Sequence, residues 1–357
     1  MNHPQSPAPS MTDGLLKSLQ QVATKYGAVH FDNQITSLQG NLAQDLAAIE
    51  HGVASIAEFA ASTAAGGPAA YLLTKGGKRL RPFLVMLASH CGSGVSPAST
   101  QLALSVELVH NATLLHDDVV DLGDARRGAP TARAVYGNAA SIFAGDWLLL
   151  EALRCIHNTG MPHVMETMLD VVQEMIDAEV KQLAQRGRGV VDLVTYFDVI
   201  SGKTAALFGW ATMAGAIGGG LEDTAESFKR FGHHLGIAFQ IVDDLLDVQG
   251  DPSKIGKDTF ADLSEGKMTL PTILAAHSDD EAAAVFSALC SGTLDVCSSD
   301  VRERIAECFR RSESIPRAKT IAEQHIDYAV AALSAVPDSS AKRLLVAVAR
   351  ATVHRNS

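Results

Sequence analysis

Apolar side chains recur every three or four residues through most of the chain, and strict alternation of apolar and polar residues is rare. This spacing is typical of amphipathic helices, each of which buries one face against its neighbours. No segment shows a convincing strand pattern. The periodicity predicts helices over residues 36–62, 78–91, 100–121, 138–158, 162–186, 192–217, 222–249, 268–277, 300–311, 316–334 and 339–352.

Clusters of glycine and proline separate these segments, as in "GGPAA", "CGSGVSPAS", "RGRG" and "VQGDPSKIGKD". Residues 1–14, "MNHPQSPAPSMTDG", are rich in proline and serine and predict a disordered leader. The rest, residues 15–357, is expected to form a single all-helical domain. The predicted fold class is therefore all-α, a helical bundle around one buried core.

Composition narrows the partners and the compartment. The 357 residues carry a formal net charge of −11 at pH 7, which argues against a nucleic-acid partner. No signal peptide opens the sequence, and no run approaches the roughly 20 apolar residues of a membrane span. The cysteines lack CxxC spacing, which favours reduced thiols over a zinc site; they are Cys91, Cys155, Cys290, Cys297 and Cys308. We expect a soluble, cytoplasmic protein.

Two aspartate-rich segments, "LLHDDVVD" and "FQIVDDLLD", interrupt the apolar pattern near predicted helix C-termini. Negative charge is unfavourable there, and the preceding residues look buried, so a solvated acidic surface is a poor explanation. Oxygen ligands favour Mg²⁺, which takes one or two carboxylates and completes its shell with water and phosphate. The six side chains are Asp117, Asp118, Asp121, Asp243, Asp244 and Asp247. They predict a site that holds Mg²⁺ and phosphate.

Basic residues that could bind the phosphate also occur in local clusters. "SGKTA" is not a Walker A motif, because Phe197 stands where the earlier glycine is required. The clusters contain Lys78, Arg79 and Arg81 in "GGKRLRP", Arg126 and Arg127 in "DARRG", Lys203 and Thr204 in "SGKTA", and Lys254, Lys257 and Lys267 after the second aspartate segment. Together they predict a site for more than one diphosphate.

These motifs resemble those of the all-trans polyprenyl diphosphate synthases, in the same order and with similar spacing. The resemblance rests on "GGKRLRP", "HNATLLHDDVVDLGDARRGAPTA", "GNAASIFAGDWLL", "GKTAALF", "GIAFQIVDDLLDVQGD" and "EGKMTLP", and it runs from about residue 36 to near the C-terminus. It implies a fold of the isoprenoid synthase type, in which two facing helices carry DDxxD motifs around a deep central cavity. It also implies a head-to-tail prenyltransferase, in which isopentenyl diphosphate attacks the carbocation formed from an allylic diphosphate.

Matching positions imply the site residues. Asp117, Asp121 and Asp243 resemble the metal ligands, for about three Mg²⁺ ions once substrate is bound, and Asp118, Asp244 and Asp247 fill the other motif positions. The residues that resemble the family's contacts to the allylic diphosphate are Arg126, Lys203 and Lys257, with Lys267 nearby. Those that resemble its isopentenyl diphosphate site are Lys78, Arg81, His110 and Arg127. Thr204 and Gln240 would lie beside the carbocation. No protein base is assigned, because the released diphosphate can accept the proton.

Product length is predicted from the residues that precede the first aspartate motif. In short-chain relatives, bulky aromatic residues at the positions of Ala112 and Thr113 close the pocket, whereas both residues are small here. Val109 lies a further turn away, and Trp147 could close the tunnel from a neighbouring helix. We expect a long product of about eight isoprene units (C40) by resemblance, with a shorter, C20-type product as the alternative.

Other functions fit the motifs less well. A class I terpene cyclase would have an Asn/Ser/Glu-type second metal motif, and a di-iron bundle would need Glu-x-x-His pairs. A non-catalytic regulatory subunit of a heteromeric synthase usually lacks motif aspartates, and this chain keeps all six. The resemblance also implies farnesyl or geranyl diphosphate as the allylic partner, a homodimer, and transient membrane contact for product release.

Overall fold

The computed structural model describes residues 32–126, 128–189, 192–249, 260–296 and 298–354. Its first helices are α1 (Asp32–Ala61), α2 (Gly67–Thr74), α3 (Leu80–His90), α4 (Pro97–Val120), α5 (Ala132–Tyr136), α6 (Asn138–His157), α7 (Pro162–Gln185), α8 (Leu193–Ile200) and α9 (Ala206–Gly218). They are followed by α10 (Ala225–Gln249), α11 (Ala261–Ser264), α12 (Leu270–Ala276), α13 (Asp280–Cys290), α14 (Ser299–Ser312), α15 (Ser314–Ala332) and α16 (Ser340–Thr352). The predicted leader, Arg127, Lys254 and Lys257 lie outside the described residues.

The all-α prediction is confirmed, with one local correction. Two short strands, β1 (Ala125–Arg126) and β2 (Ala129–Pro130), pair antiparallel, although no strand was expected. Two-residue strands cannot show the alternation by which a strand is recognised in sequence. Four helices were also missed: α2, α5, α11 and α13. The first three have eight residues or fewer, too few for a clear helical period.

Helix α4 carries the first aspartate motif and begins at Pro97, three residues earlier than predicted. Ser96 caps it, because its side chain accepts a hydrogen bond from the Ser99 backbone N–H at 3.1 Å. Proline at the first helical position suits the start of a helix. Nearly the whole of α4 from Leu102 to Val109 is buried, so the helix end that carries Asp117 is fixed by packing.

Helix α9 packs against both aspartate-bearing helices, α4 and α10. Its sequence, "ALFGWATMAGAIG", is apolar on every face, and it is buried from Ala206 to Ala216. Because α9 is packed on all sides, it fixes the position of α10 relative to α4. The two motifs are thereby held in a fixed relative position.

The buried apolar residues form two clusters, one around α3, α4, α6 and α9, and one around α12, α13 and α14. Within the part of the chain that the structure describes, no helix is both long and apolar enough to cross a membrane. A single domain over residues 15–357 stays a prediction, because residues 15–31 are not described.

Candidate active site

A single π-helical turn, Ser201–Ala205, joins α8 to α9 and carries two of the predicted site residues. Such turns often occur at functional sites, because the extra residue changes the direction of neighbouring side chains. A Cβ at Gly202 would lie 2.7 Å from the Glu174 carbonyl oxygen, and one at Gly236 would lie 2.6 Å from the Ala205 Cα. The two glycines therefore allow the turn to lie directly against α7 and α10.

Adjacent residues of this turn reach the two aspartate-bearing helices. The Lys203 Nζ lies 3.8 Å from Asp117 Oδ2 and donates to the Gln182 side-chain oxygen at 2.8 Å. It also forms an ion pair with Glu179. Thr204 donates its hydroxyl hydrogen to Gln240 Oε1 at 2.8 Å. The π turn thus connects the first motif on α4 to the second on α10.

Asp117 is the first residue of the first motif, and it is three-quarters buried. Burial raises its pKa to about 6; the Lys203 charge opposes that shift, whereas the charges of Glu179 and Asp121 add to it. The surroundings therefore disfavour its negative charge unless a further cation is close. This is the electrostatic condition expected of a carboxylate that binds a metal ion.

Asp118 lies on the opposite side of the motif and is almost fully buried. The β1–β2 hairpin returns the chain so that Arg126 donates to Asp118 Oδ1, with Nε at 3.0 Å and Nη2 at 2.9 Å. The second oxygen, Asp118 Oδ2, is buried and has no hydrogen-bond partner among the described residues. Asp118 therefore holds Arg126 next to the first motif.

Asp121 ends the first motif at the C-cap of α4. Both of its oxygens accept hydrogen bonds from cations: Oδ1 from Arg186 Nη2 at 3.1 Å, and Oδ2 from Lys267 Nζ at 2.8 Å. Lys267 also pairs with Glu265 at 2.7 Å. Bonds to the two carboxylates raise the Lys267 pKa, although burial works against them. Lys267 was predicted as a site residue; Arg186 was missed.

The second motif is held by a chain of side-chain hydrogen bonds. Asp244, almost fully buried, accepts from the Tyr196 hydroxyl at 2.6 Å and from Gln240 Nε2 at 3.0 Å. Burial raises the pKa of Asp244 to about 7, and the bonds from Tyr196 and Gln240 limit the shift. Because the Gln240 amide donates to Asp244, its oxygen is left to accept from Thr204. The sequence pattern gives no sign that Tyr196, on α8, belongs to the site.

Asp243 and Asp247 complete the second motif. Asp243 is exposed at the end of α10. Asp247 instead accepts hydrogen bonds from the backbone N–H groups of Ala261 at 3.0 Å and Asp262 at 3.4 Å. It therefore anchors the start of α11, and its predicted indirect role in metal binding stays a prediction.

The "GGKRLRP" cations have different surroundings. Arg81 stacks over the Phe208 ring at 4.6 Å, and its buried Nε has no hydrogen-bond partner in the described part of the chain. Burial lowers its pKa to about 10, in part offset by Glu107. Arg79 instead donates to Glu107 at 2.6 Å and to Glu50 at 3.0 Å, and its predicted contact with phosphate stays a prediction.

Of the remaining predicted site residues, the structure describes His110 and Lys78. His110 is half-buried on α4, and its carbonyl oxygen accepts from the Thr113 hydroxyl at 2.8 Å. Lys78 precedes α3 in the same sequence segment as Arg81. Arg127 and Lys257 lie outside the described residues, so their predicted contacts stay predictions.

The predicted chain-length residues lie on α4 and α6. Ala112 and Val109 are almost fully buried, whereas Thr113 is half-buried. Trp147 is half-buried and its ring centroid lies 5.9 Å from that of Phe59. Ala112 and Val109 therefore belong to the packed core, and the predicted role of all four residues in chain length stays a prediction.

A cavity of about 850 Å³, part of it open to solvent, lies beside the second motif, of which Asp244 lines it. The first motif is linked to it through Lys203 and Lys267, which contact Asp117 and Asp121. Carboxylate, amide, hydroxyl and ammonium groups line it, including Lys203, Thr204, Gln240, Asp244 and Lys267. The ammonium groups of Lys203 and Lys267 in this lining suit a ligand with a diphosphate group.

The donor chemistry at this cavity fits a hard divalent cation. Among the described residues, no three His, Cys, Asp or Glu side chains converge as a ready-made metal site. Mg²⁺ does not need such a cage, since it commonly uses one or two carboxylates together with water and substrate phosphate. Asp117 and Asp121, one helical turn apart, offer such a pair.

Comparison with known proteins shows the family of this chain. The family model described as "Polyprenyl synthetase" matches residues 63–308. The octaprenyl diphosphate synthase of Escherichia coli is 35% identical over 289 residues, which cover 80% of this chain and 88% of that protein. The nonaprenyl diphosphate synthase of Mycobacterium tuberculosis is 33% identical over 288 residues, or 80% of this chain and 85% of the relative.

A similar fold is found in a solved structure. The crystal structure of a decaprenyl diphosphate synthase from Rhodobacter capsulatus superimposes with a TM-score of 0.81 at 33% sequence identity. The match covers 95% of this chain and 99% of that one. The helical arrangement is therefore shared along almost the full length of both proteins.

Proposed function

The chain belongs to the polyprenyl synthetase family, and on that premise we propose that it condenses isopentenyl diphosphate with an allylic diphosphate to make a long-chain all-trans polyprenyl diphosphate. It is an enzyme, a prenyltransferase. The observation that carries the proposal is the π turn, which brings Lys203 next to Asp117 and Thr204 next to Gln240. Diphosphate binding and carbocation stabilisation would thus occur on one rigid element.

The reaction begins when the C–O bond of the allylic diphosphate breaks and diphosphate leaves. Bound Mg²⁺, held by Asp117, Asp121 and Asp243, would supply positive charge to the leaving diphosphate. Arg126, Lys203 and Lys267 would donate hydrogen bonds to its oxygens, and Lys257 is proposed for the same role. Preorganised cations stabilise charge that develops in the transition state, without reorganising at the moment of reaction.

The carbocation would form next to Thr204 and Gln240. The Thr204 hydroxyl hydrogen points to Gln240, so its oxygen lone pairs are free of that bond and can face a positive carbon. Isopentenyl diphosphate, bound by Lys78, Arg81, His110 and Arg127, would attack this carbon through its double bond. Loss of a proton to the released diphosphate completes the step.

The activity is tested by incubating the purified protein with isopentenyl diphosphate and a farnesyl or geranyl primer. Diphosphate release and polyprenyl product are expected with Mg²⁺, and both should vanish in EDTA. Mass spectrometry of the product gives its length. We propose a product of about C40, because the residues matching the pocket floor are small; a C20 product is the alternative. An absence of any condensed product with either primer would contradict the proposal.

The two diphosphate sites can be separated by mutation. Arg81→Ala should raise the KM for isopentenyl diphosphate by about 10-fold, since it removes a buried guanidinium. Lys203→Ala should impair use of the allylic substrate instead. Steady-state kinetics with each substrate varied in turn measures both effects. If both variants weakened the same substrate alone, the assignment of sites would be wrong.

We propose that the protein is a homodimer that pairs through α6 and α7. Exposed large apolar side chains on these adjacent helices are Ile142, Phe143, Leu150, Leu169, Ile176, Val180 and Leu183. A surface with this many exposed apolar residues is typical of an interface.

A regulatory-subunit role is disfavoured by the six motif aspartates.

Charges on this surface should dissociate the dimer. The double variant Phe143→Glu/Ile176→Glu should halve the mass measured by light scattering, because burying two carboxylates in an apolar interface is costly. Tyr328→Glu, an equally exposed position on α15, is the control and should leave the mass unchanged. A dimer that survives the double change would exclude this surface as the interface.

We also propose a cytoplasmic location, with transient membrane contact on product release. The four described cysteines, Cys91, Cys155, Cys290 and Cys308, are free thiols. Burial raises the pKa of the Cys155 and Cys290 thiols to about 11, which keeps them protonated and unreactive.

A further inference from the structure

We propose that Arg186 is an additional ligand of the allylic diphosphate, which transfers its Nη2 hydrogen bond from Asp121 to the substrate when Asp121 binds a divalent cation. The inference rests on the proposed function and adds a residue that none of the site motifs contains. Arg186 follows the end of α7 and lines the same cavity as Lys203 and Lys267.

Four charged side chains form a cluster at the end of α4. Arg186 and Lys267 together bind both oxygens of Asp121, at 3.1 and 2.8 Å. Glu265 lies 2.7 Å from Lys267 Nζ and 3.9 Å from Arg186 Nη2. Two cations therefore balance two carboxylates. If Asp121 binds a divalent cation, the balance changes, and the two basic groups become available to an anion.

Two main-chain carbonyl oxygens hold the Arg186 guanidinium in place. Arg186 Nε donates to the Glu265 carbonyl oxygen at 2.7 Å, and Nη1 donates to the Val120 carbonyl oxygen at 3.4 Å. These main-chain acceptors do not depend on the charge state of Asp121. The planar group therefore stays in place when the Asp121 bond is lost. Only Nη2 has carboxylates as its partners, so Nη2 is the donor that can change partner.

The chemistry and the location of the Arg186 guanidinium both favour the allylic diphosphate as its ligand. A guanidinium remains charged at any physiological pH and matches the oxygens of a phosphate group. Arg186 lies on the cavity wall with Lys203 and Lys267, which are proposed to bind the allylic diphosphate. Arg81, by contrast, stacks on Phe208 on α9. Arg186 is therefore assigned to the allylic diphosphate and not to isopentenyl diphosphate.

A backbone hydrogen bond next to Arg186 also helps to fix its position. The Gly187 N–H donates to the Gly266 carbonyl oxygen at 3.1 Å, between the two residues that carry the cluster, Glu265 and Lys267. This contact ties the end of α7 to the loop before α12. The guanidinium is thus oriented by two chain segments before any substrate binds.

The experiment compares Arg186→Gln with Arg188→Gln, an exposed arginine two residues away that serves as the matched control. The KM for farnesyl diphosphate and the Kd for inorganic diphosphate, by calorimetry with Mg²⁺, should rise about 10-fold in Arg186→Gln. The KM for isopentenyl diphosphate should not change. Arg188→Gln should match the wild type in all three. Arg186→Lys, which keeps the charge but not the two main-chain anchors, should be intermediate.

The outcomes are decisive in each direction. If Arg186→Gln only lowers the melting temperature of the metal-free protein and leaves the KM and Kd values unchanged, Arg186 is a structural ion pair and the proposal fails. If Arg186→Gln does not fold, Arg186→Lys decides by the same measurements. If the wild type makes no prenyl product, the proposed function fails, and the inorganic diphosphate affinities still test Arg186.

Discussion

Asp117→Asn or Asp243→Asn is expected to lower Mg²⁺-dependent turnover by about 10²–10³-fold or more, and to leave the helical fold intact. Each change removes a negatively charged oxygen ligand with almost no change in volume. The leaving diphosphate would then lose part of the charge that stabilises it. Rates of diphosphate release at saturating substrate, with circular dichroism to check folding, measure the effect.

Asp124→Asn is the matched control. This carboxylate follows the first motif by three residues, is 84% exposed and pairs with Arg133 at 2.6 Å. Exposed pairs of this kind contribute little to stability. Asp124→Asn should therefore retain near-wild-type turnover. Near-wild-type turnover in Asp117→Asn as well would contradict the role of the first motif in metal binding.

Asp117→Asn, which should lower turnover, is expected to raise the stability of the metal-free protein. Because the Asp117 pKa is about 6 in the fold against an ordinary 3.8, the native state favours the protonated acid. The stability that the protonated Asp117 contributes is therefore fully present below pH 3.8, and it is lost as the pH rises through about 6. Metal-free Asp117→Asn should therefore melt above the wild type at pH 8, and the difference should shrink toward pH 4. The site would thus sacrifice stability for binding.

Much of the site was predictable because its residues lie in continuous motifs. Asp117, Asp118 and Asp121 fall on one helix, so their mutual placement follows from helix geometry alone. Thr204 and Gln240 were assigned to one part of the site only through resemblance, since they are distant in sequence, and the hydrogen bond between them is a finding of the structure. Helix α4 itself was predicted within three residues at its start.

The residues that were missed depend on tertiary contacts. Arg186 ends a helix, where a basic side chain is favourable to the helix dipole and gives no sign of a second role. Tyr196 looks like an ordinary apolar position of α8, and its bond to Asp244 exists only because α8 packs near α10. The contacts of Arg79 depend on the fold in the same way, since its ion pairs with Glu50 and Glu107 join residues that are distant in sequence.

We propose that product length depends on the residues that precede the first motif on α4. Each helical turn before Asp117 lies about 5.4 Å deeper along α4. Thr113 is one turn back, Ala112 is next to it, and Val109 is a further turn back. The growing chain is proposed to extend along this helix. A small residue at position 112 would leave the tunnel open, and a large one would close it.

Ala112→Phe is therefore expected to shorten the product, to about C15 or C20, with the first condensation still active. Ala112 is 2% exposed, so the new ring must either fill the product tunnel or strain the core. A graded series separates these results: Ala112→Ser should leave the length unchanged, and Val, Leu and Phe should shorten it step by step, as read by mass spectrometry. Melting temperatures of the same variants report strain. A falling melting temperature with unchanged product length would mean that Ala112 faces packed side chains, and the tunnel would then have to run along another helix.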